Sequence, residues 1–340
     1  MNNTTEEELD FFRDAAYVYN TELVMGIVGT IGNTIVLVVI LSTRKLRTLT
    51  NYLLMNLAVA DLLTSFQLVT TRYPTKAFVL TVPDGAAGEL YCRLYFSAVF
   101  FWVSIKASTF NLILVTFERY FAIVHPLSYS TYYTHRNVVI MVATSWSFSF
   151  LLEIIFVSFH HYSQGSCHLF VYPDSSIGIG LGVFNFFVSF FIPIVAMVWA
   201  YASIVQSLRK SAQEIQQRDR RDESGRAGTL LQARNKVIRM LFLVLLAYVI
   251  CWTPDSIMFL ISNVSNIVSY TADYFNCVVL LAFANSVLNP FIYVFKYKQF
   301  REGLIKKFCC CSHRLKNKVD DESMIATVSG AAHCQDKDDQ

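Results

Sequence analysis

Long apolar runs alternate with short polar interruptions along most of this chain. Seven runs stand out: Leu23–Thr43, Asn51–Tyr73, Leu94–Val124, Val138–Phe159, Ile177–Val205, Val237–Ile261 and Tyr274–Phe295. Each reaches the roughly 20 residues that a helix needs to cross about 30 Å of hydrocarbon. None carries the sustained polar face of a long soluble helix, so the pattern predicts an all-α membrane protein, a seven-transmembrane helix bundle. The interruptions are short except Ser207–Arg234. After the seventh run, Tyr297–Phe308 mixes basic and apolar residues, which predicts a short amphipathic eighth helix lying on the membrane surface. The expected organisation is a tail over residues 1–22, the bundle over 23–296, the amphipathic helix with a cysteine cluster over 297–311, and a second tail over 312–340.

Composition agrees. Of the 340 residues, 54% are hydrophobic and 16% charged, against about 25% charged in soluble domains. The net charge of +3 gives no basic patch interleaved with stacking aromatics, so nucleic acid is not an expected partner. Membrane lipids are. Basic residues gather in the first linker (Arg44, Lys45, Arg47), in Ser207–Arg234, and after the seventh run (Lys296, Lys298, Arg301, Lys306, Lys307). The N-terminal stretch is acidic instead, with Glu6, Glu7, Glu8 and Asp10. Positive charge stays inside, so the expected topology is N-terminus extracellular and C-terminus cytoplasmic, in a multi-pass protein of the plasma membrane. The first 22 residues lack the apolar core of a cleavable signal peptide, and the first run is expected to serve as the insertion signal. Asn2 and Asn3 each open a glycosylation sequon on the outer side; Asn263 opens another close to the end of the sixth run.

The eight cysteines divide by compartment. Cys92 and Cys167 fall on the outer side and are the pair expected to form a disulfide. Cys251 and Cys277 lie in apolar runs, where a small buried hydrophobe is the plain role. Cys309, Cys310 and Cys311 follow the amphipathic stretch, the setting of palmitoylated cysteines, with ordinary tail thiols as the alternative.

The runs also contain polar residues that a lipid-facing helix would not choose. They are Gly32-Asn33-Thr34, Asn56 through Asp61, Glu118-Arg119-Tyr120, Trp146, Pro193 with Tyr201, Cys251-Trp252-Thr253-Pro254, and Asn285 through Tyr293. Asp61 sits about ten residues into its run, roughly 15 Å deep at 1.5 Å per residue, and must face the bundle interior with partners. Asn33 and Asn289 lie at depths where they could bond it. This set, in this order on seven spans, resembles the rhodopsin-like (class A) G-protein-coupled receptors from about Leu23 to Cys311. The resemblance implies that Asp61, Ser108, Asn285 and Asn289 ring an allosteric sodium ion; a hydrated polar network without the ion is the alternative reading. No other cofactor is implied. It further implies a switch built from Glu118, Arg119, Tyr120, Tyr201, Trp252, Pro254, Asn289, Pro290 and Tyr293, which passes an extracellular ligand signal to a heterotrimeric G protein. Prolines in the fifth, sixth and seventh runs remove backbone bonds and create kinks that suit such an element.

An extracellular ligand would enter the outer half of the bundle. Phe101 lies 18 residues before Arg119, where amine receptors of the family carry an aspartate, so amines bound in that way are not expected. Phe283 occupies the place of the retinal-binding lysine, which sets aside a light sensor. Asp255, one turn above Trp252, and Arg72 and Lys76 at the end of the second run give the cavity mouth both signs of charge, with His160, His161 and His168 nearby. That mixture suits a peptide. The expected ligand residues are Asp255, Phe101, Trp252, Arg72, His168 and Phe283, with Asp255 meeting a basic group; an internal pair or a merely hydrated Asp255 is the alternative. Cys-Trp-Thr-Pro-Asp resembles the somatostatin-like and galanin-like peptide receptors. A non-amine small molecule or lipid is the second ligand class weighed, and a transporter or channel the second protein class, without the internal repeat that transporters show. No nucleophile–base or metal-ligand constellation supports an enzyme.

Three features depart from the family pattern. Lys106 and Glu153 lie at comparable depth in the third and fourth runs, where lone charges are expensive, so they are expected to pair. The 27 residues from Cys92 to Arg119 are two more than the family's usual spacing, which leaves open whether Phe101 or Val99 faces the pocket. Arg234 stands where some members carry a glutamate that restrains the arginine, leaving Glu118 as the main restraint on Arg119.

Overall fold

The computed structural model describes residues 3–77, 81–168, 170–219, 226–265, 273–305 and 307. Side chains before Tyr17, Lys76, the stretch around Arg234, and Cys309, Cys310 and Cys311 lie outside the described residues, as do the sequons at Asn2 and Asn3. Among the described residues, seven helices are long and apolar enough to cross a membrane. Helix one is Asn3–Ser42. Helix two is Leu49–Gln67, continued by a wide turn (Leu68–Arg72) into Tyr73–Ala77. Helix three is Val99–Val124, helix four His135–Val157, and helix five Ser175–Phe186, Phe187–Phe191 and Ile192–Asp219. Helix six is Arg226–Ser265 and helix seven Asp273–Lys296. Helix three packs against two, four and five, and helix one against two and seven. A continuous core of Leu57, Leu112, Met197, Tyr248 and their neighbours fills the space between.

Several boundaries differ from the hydrophobic pattern. Helix one begins well before Leu23 because TTEEELDFFRDAA contains no breaker. Helices five and six run far into Ser207–Arg234 for the same reason, since SLRKSAQEIQQRD is made mostly of residues that tolerate a helix. The run expected over Leu94–Val124 is interrupted: Tyr91–Phe96 form a wide turn, and Ala98 adopts a left-handed conformation with φ 53°. An L-residue pays about 1–2 kcal/mol for that region. The break takes up the extra residues between Cys92 and Arg119, so Phe101 sits fully buried in the bundle. After helix seven, residues 298–305 are helical as expected; Phe300 enters the core, and a side chain added at Gly303 would meet Thr43 and Val39.

Four prolines lie in membrane helices, and each deprives the carbonyl four residues earlier of its N–H donor. For Pro74 that carbonyl is Thr70, which accepts the Tyr95 hydroxyl at 3.3 Å. For Pro193 it is Ser189, which accepts the Tyr248 hydroxyl of helix six at 3.1 Å. For Pro290 it is Ser286, which accepts the Asn33 amide of helix one at 3.0 Å. Gly32 leaves room for this approach, since a Cβ there would stand 3.1 Å from the Pro290 ring. Asn33 was expected to bond Asp61; the freed carbonyl and that of Gly29 take its amide instead. For Pro254 the freed carbonyl is Ile250, and among the described residues no side chain donates to it. The nearby Thr253 hydroxyl bonds Val249 within helix six.

Removing one donor tests these ties. Tyr248→Phe should lower stability by about 1 kcal/mol, read as a drop in Tm in detergent. Adding Pro193→Ala returns an N–H to Ser189, and the Tyr248→Phe loss should then shrink. Losses that simply add in the double variant would contradict the tie.

Candidate functional site

At one end of the bundle a two-stranded hairpin, His161–Ser163 with Ser166–His168, caps the helices. Its turn residues Gln164 and Gly165 both have positive φ, as a tight hairpin requires. The Cys92–Cys167 disulfide fastens it to the wide turn before helix three. The Tyr162 amide donates to Glu89 at 2.7 Å and its hydroxyl to Asp84 at 2.5 Å. His168 is exposed and stacks on His161 across the hairpin, ring centroids 5.6 Å apart. His160 is buried, its Nδ1 2.8 Å from the Phe156 carbonyl oxygen, and burial lowers its pKa.

Below the hairpin, helices two, three, six and seven carry the expected ligand residues other than His168, which stays on the hairpin. Phe101 and Phe283 meet edge to face at 5.0 Å. The Arg72 guanidinium lies 5.1 and 4.9 Å from their ring centres and forms an ion pair with Glu22 at 3.5 Å. The wide turn ahead of Pro74 carries Arg72 and sets its direction. Asp255, on helix six, is half-buried, and no side chain of the described residues contacts its carboxylate. Trp252 lies buried a turn deeper. Glu22 escaped the sequence reading because it adjoins an acidic tail; its only signal was its place at the start of an apolar run. Asn263 donates to the Phe259 carbonyl at 2.8 Å and packs on Gly182, so its sequon faces into the bundle.

Midway down, Asp61 is fully buried and accepts Ser108 at 2.8 Å and Asn289 at 2.7 Å. Asn285 does not bond Asp61. The side-chain oxygens of Asn285 and Asn289 are buried without donors. Lys106 and Glu153 are in direct contact between helices three and four, with Lys106 also over the Phe156 ring at 5.2 Å. Trp146 donates to Asn56 at 3.0 Å, and Asn56 in turn to Asn111 at 3.0 Å.

At the end opposite the hairpin, Arg119 donates from Nε and Nη2, one edge of its guanidinium, to both oxygens of the buried Glu118 and also contacts Thr50. Glu118 accepts Thr50 at 3.0 Å and the Tyr129 hydroxyl at 2.7 Å. Burial and the Glu118 charge hold the Tyr129 phenol well above its ordinary pKa, so it stays a donor. Tyr120 turns away to His125, 3.1 Å from its Nε2. Tyr201 is buried, and among the described residues the Tyr293 hydroxyl is buried with no partner. Beside Tyr201 lies an apolar cavity lined also by Leu57, Leu112, Leu241 and Leu245.

This architecture is that of a seven-transmembrane receptor of the rhodopsin family, whose description matches residues 32–293; the chain belongs to that family and is a receptor, not an enzyme. It is 30% identical over 304 residues to the tachykinin-like peptides receptor 86C of Drosophila melanogaster, covering 84% of this chain and 57% of that protein. It is 28% identical over 300 residues to the allatostatin-A receptor of Bombyx mori, covering 84% and 78%. With the somatostatin receptor type 5 of Bos taurus it shares 30% over 293 residues, covering 83% and 73%. The chain thus spans little more than half the length of the tachykinin-like receptor.

The contact between Lys106 and Glu153 has a direct test. Lys106→Met leaves a buried carboxylate alone, at a cost of about 3–5 kcal/mol, and should sharply reduce surface expression measured by flow cytometry. Adding Glu153→Gln should recover most of it. Normal expression of Lys106→Met alone would contradict a structural pair.

Proposed function

We propose that this receptor binds an extracellular peptide at the hairpin end and transmits the signal to a heterotrimeric G protein at the Arg119 end, with the hairpin end facing outward at the plasma membrane. The observation that carries the reading is Asp255. It is a half-buried carboxylate without a contact partner among the described residues, attached to the kinked helix six one turn above Trp252. Charges at such depth are expensive unless something arrives to meet them, and a basic group of a peptide is that complement. Peptide receptors among the relatives support the ligand class. Phe101, Trp252 and Phe283 supply the apolar wall around it.

A ligand cation drawn to Asp255 pulls on helix six next to Pro254, the one proline kink whose freed carbonyl has no side-chain tie. Tilting the far half of helix six opens the apolar cavity, into which the Tyr201 and Tyr293 hydroxyls can turn. Arg119 is then released from Glu118. The unpartnered oxygens of Asn285 and Asn289 fit a hard cation. Asp61, Ser108, Asn289 and Asn285 would hold sodium there, which would supply positive charge that favours the resting packing.

A peptide library screened on transfected cells through several G-protein sensors should yield an activating peptide with a basic group. Asp255→Asn should lower its potency at least tenfold, about 1.4 kcal/mol; unchanged potency would refute the assignment. Glu118→Gln removes the charge that holds Arg119 and should raise basal signalling several-fold over wild type in the same sensors. Basal output no higher than wild type would count against Glu118 as the restraint.

A further inference from the structure

Of the expected ligand residues, His168 is the one that the fold keeps on the hairpin. It lies on the second strand, directly opposite His161 of the first in the Cα register. His168 is exposed and His161 half-buried. Their ring centroids stand 5.6 Å apart, with the planes inclined at 27°. Among the described residues no hydrogen bond reaches a nitrogen of either ring. His160, next in the chain, differs: it is buried, and its Nδ1 is taken up by the Phe156 carbonyl.

Two imidazoles so placed meet the geometric demand of a borderline-soft cation. Zinc binds imidazole nitrogen at about 2.0–2.1 Å with tetrahedral angles, which sets two ring centres about 5 Å apart. The hairpin holds them at 5.6 Å before any metal arrives. The backbone on either side is fixed. Gln164 and Gly165 close the turn, and Cys167, beside His168, is tied to Cys92. The Tyr162 amide, beside His161, donates to Glu89 at 2.7 Å. Little ordering is therefore left to oppose binding. The charges around the hairpin also favour a cation. Glu89 and Asp84 accept the Tyr162 amide and hydroxyl, and the nearby guanidinium, Arg93, is paired to Glu89 at 2.7 Å. Among the described residues no third His, Cys, Asp or Glu joins the pair. Water must then fill the remaining positions, which makes the site open and exchangeable rather than a closed structural centre.

We propose that His161 and His168 form a zinc-binding site on the hairpin that caps the cavity. The metal joins the two strands beside the disulfide and stiffens the cap. Imidazole suits zinc, whereas calcium and magnesium take oxygen ligands. The site does not depend on the chemistry of the peptide.

The test uses the purified full-length receptor in detergent, with zinc chloride as the probe and calcium chloride as the control. Equilibrium dialysis at micromolar zinc gives the metal bound per receptor. Thiols elsewhere in the chain contribute equally to wild type and variants, so the difference between them isolates the hairpin. Wild type should hold one zinc ion more than His161→Gln, and one more than His168→Gln. Calcium binding should be the same in all three. Neither ring bonds another group, so the metal-free Tm of both variants should match wild type, and either variant alone decides if the other folds poorly. Equal zinc in wild type and a folded variant overturns the proposal. So does a calcium ion lost together with the zinc, which would mark a carboxylate site instead of an imidazole one.

Discussion

Inside a bilayer a helix carbonyl that loses its N–H partner has no water to turn to, so every proline in a spanning helix must be answered by a donor from elsewhere. Three of the four prolines here are answered from another element: Tyr95, in the turn before helix three, to Thr70, Tyr248 to Ser189, and Asn33 to Ser286. These bonds do more than satisfy backbone. They join the turn before helix three to helix two, six to five, and one to seven, each at a point where the helix bends. The kink at Pro254 has no such tie among the described residues, and its neighbour Thr253 bonds only within helix six. Bending freedom is therefore concentrated at the helix that carries both Trp252 and Asp255.

Charge burial follows the same economy of partners. Lys106 meets Glu153, Glu22 meets Arg72, and Arg119 meets Glu118. Asp61 is surrounded by neutral donors from helices three and seven. Breaking any one of these pairs strands a charge in a medium that solvates it poorly. Against this background Asp255 is the carboxylate whose partner is missing among the described residues, which is why the proposed ligand contact falls on it. The Glu118–Arg119 pair is different in kind. It is held by Thr50 and Tyr129 as well, so releasing it requires several bonds to change together, the behaviour expected of a packing with two discrete states.

Much of this was legible in the sequence, because the bilayer imposes rules that composition obeys openly. The seven spans, the cysteine pair and the Lys106–Glu153 contact follow from length, compartment and depth, and the Glu118–Arg119 contact from the family resemblance. What stayed hidden depends on geometry that no spacing reveals. The left-handed Ala98 is invisible in an apolar run, and with the wide turn at Tyr91–Phe96 it explains how 27 residues fit between Cys92 and Arg119. Nothing in the spacing marks Tyr248; its hydroxyl has a purpose only once Pro193 is seen to free Ser189. Asn33 could be placed at the depth of Asp61 but not oriented, and its amide went to Pro290's orphaned carbonyl. Glu22 resembled the end of an acidic tail until its helix was seen to continue past it into the bundle.

The central claim is that the inner half of helix six moves while the tied helices stay. Pulsed electron resonance can measure it with nitroxides on exposed positions at the Arg119 end: Arg136 of helix four as reference, paired in turn with Lys210 of helix five, Arg239 of helix six and Lys296 of helix seven. The receptor would carry replacements of its reactive native cysteines, and distances would be compared with and without nucleotide-free G protein. The account predicts that the Arg136–Arg239 distance lengthens by several ångströms while the other two change by much less. A static helix six, or equal displacement of all three helices, would contradict it.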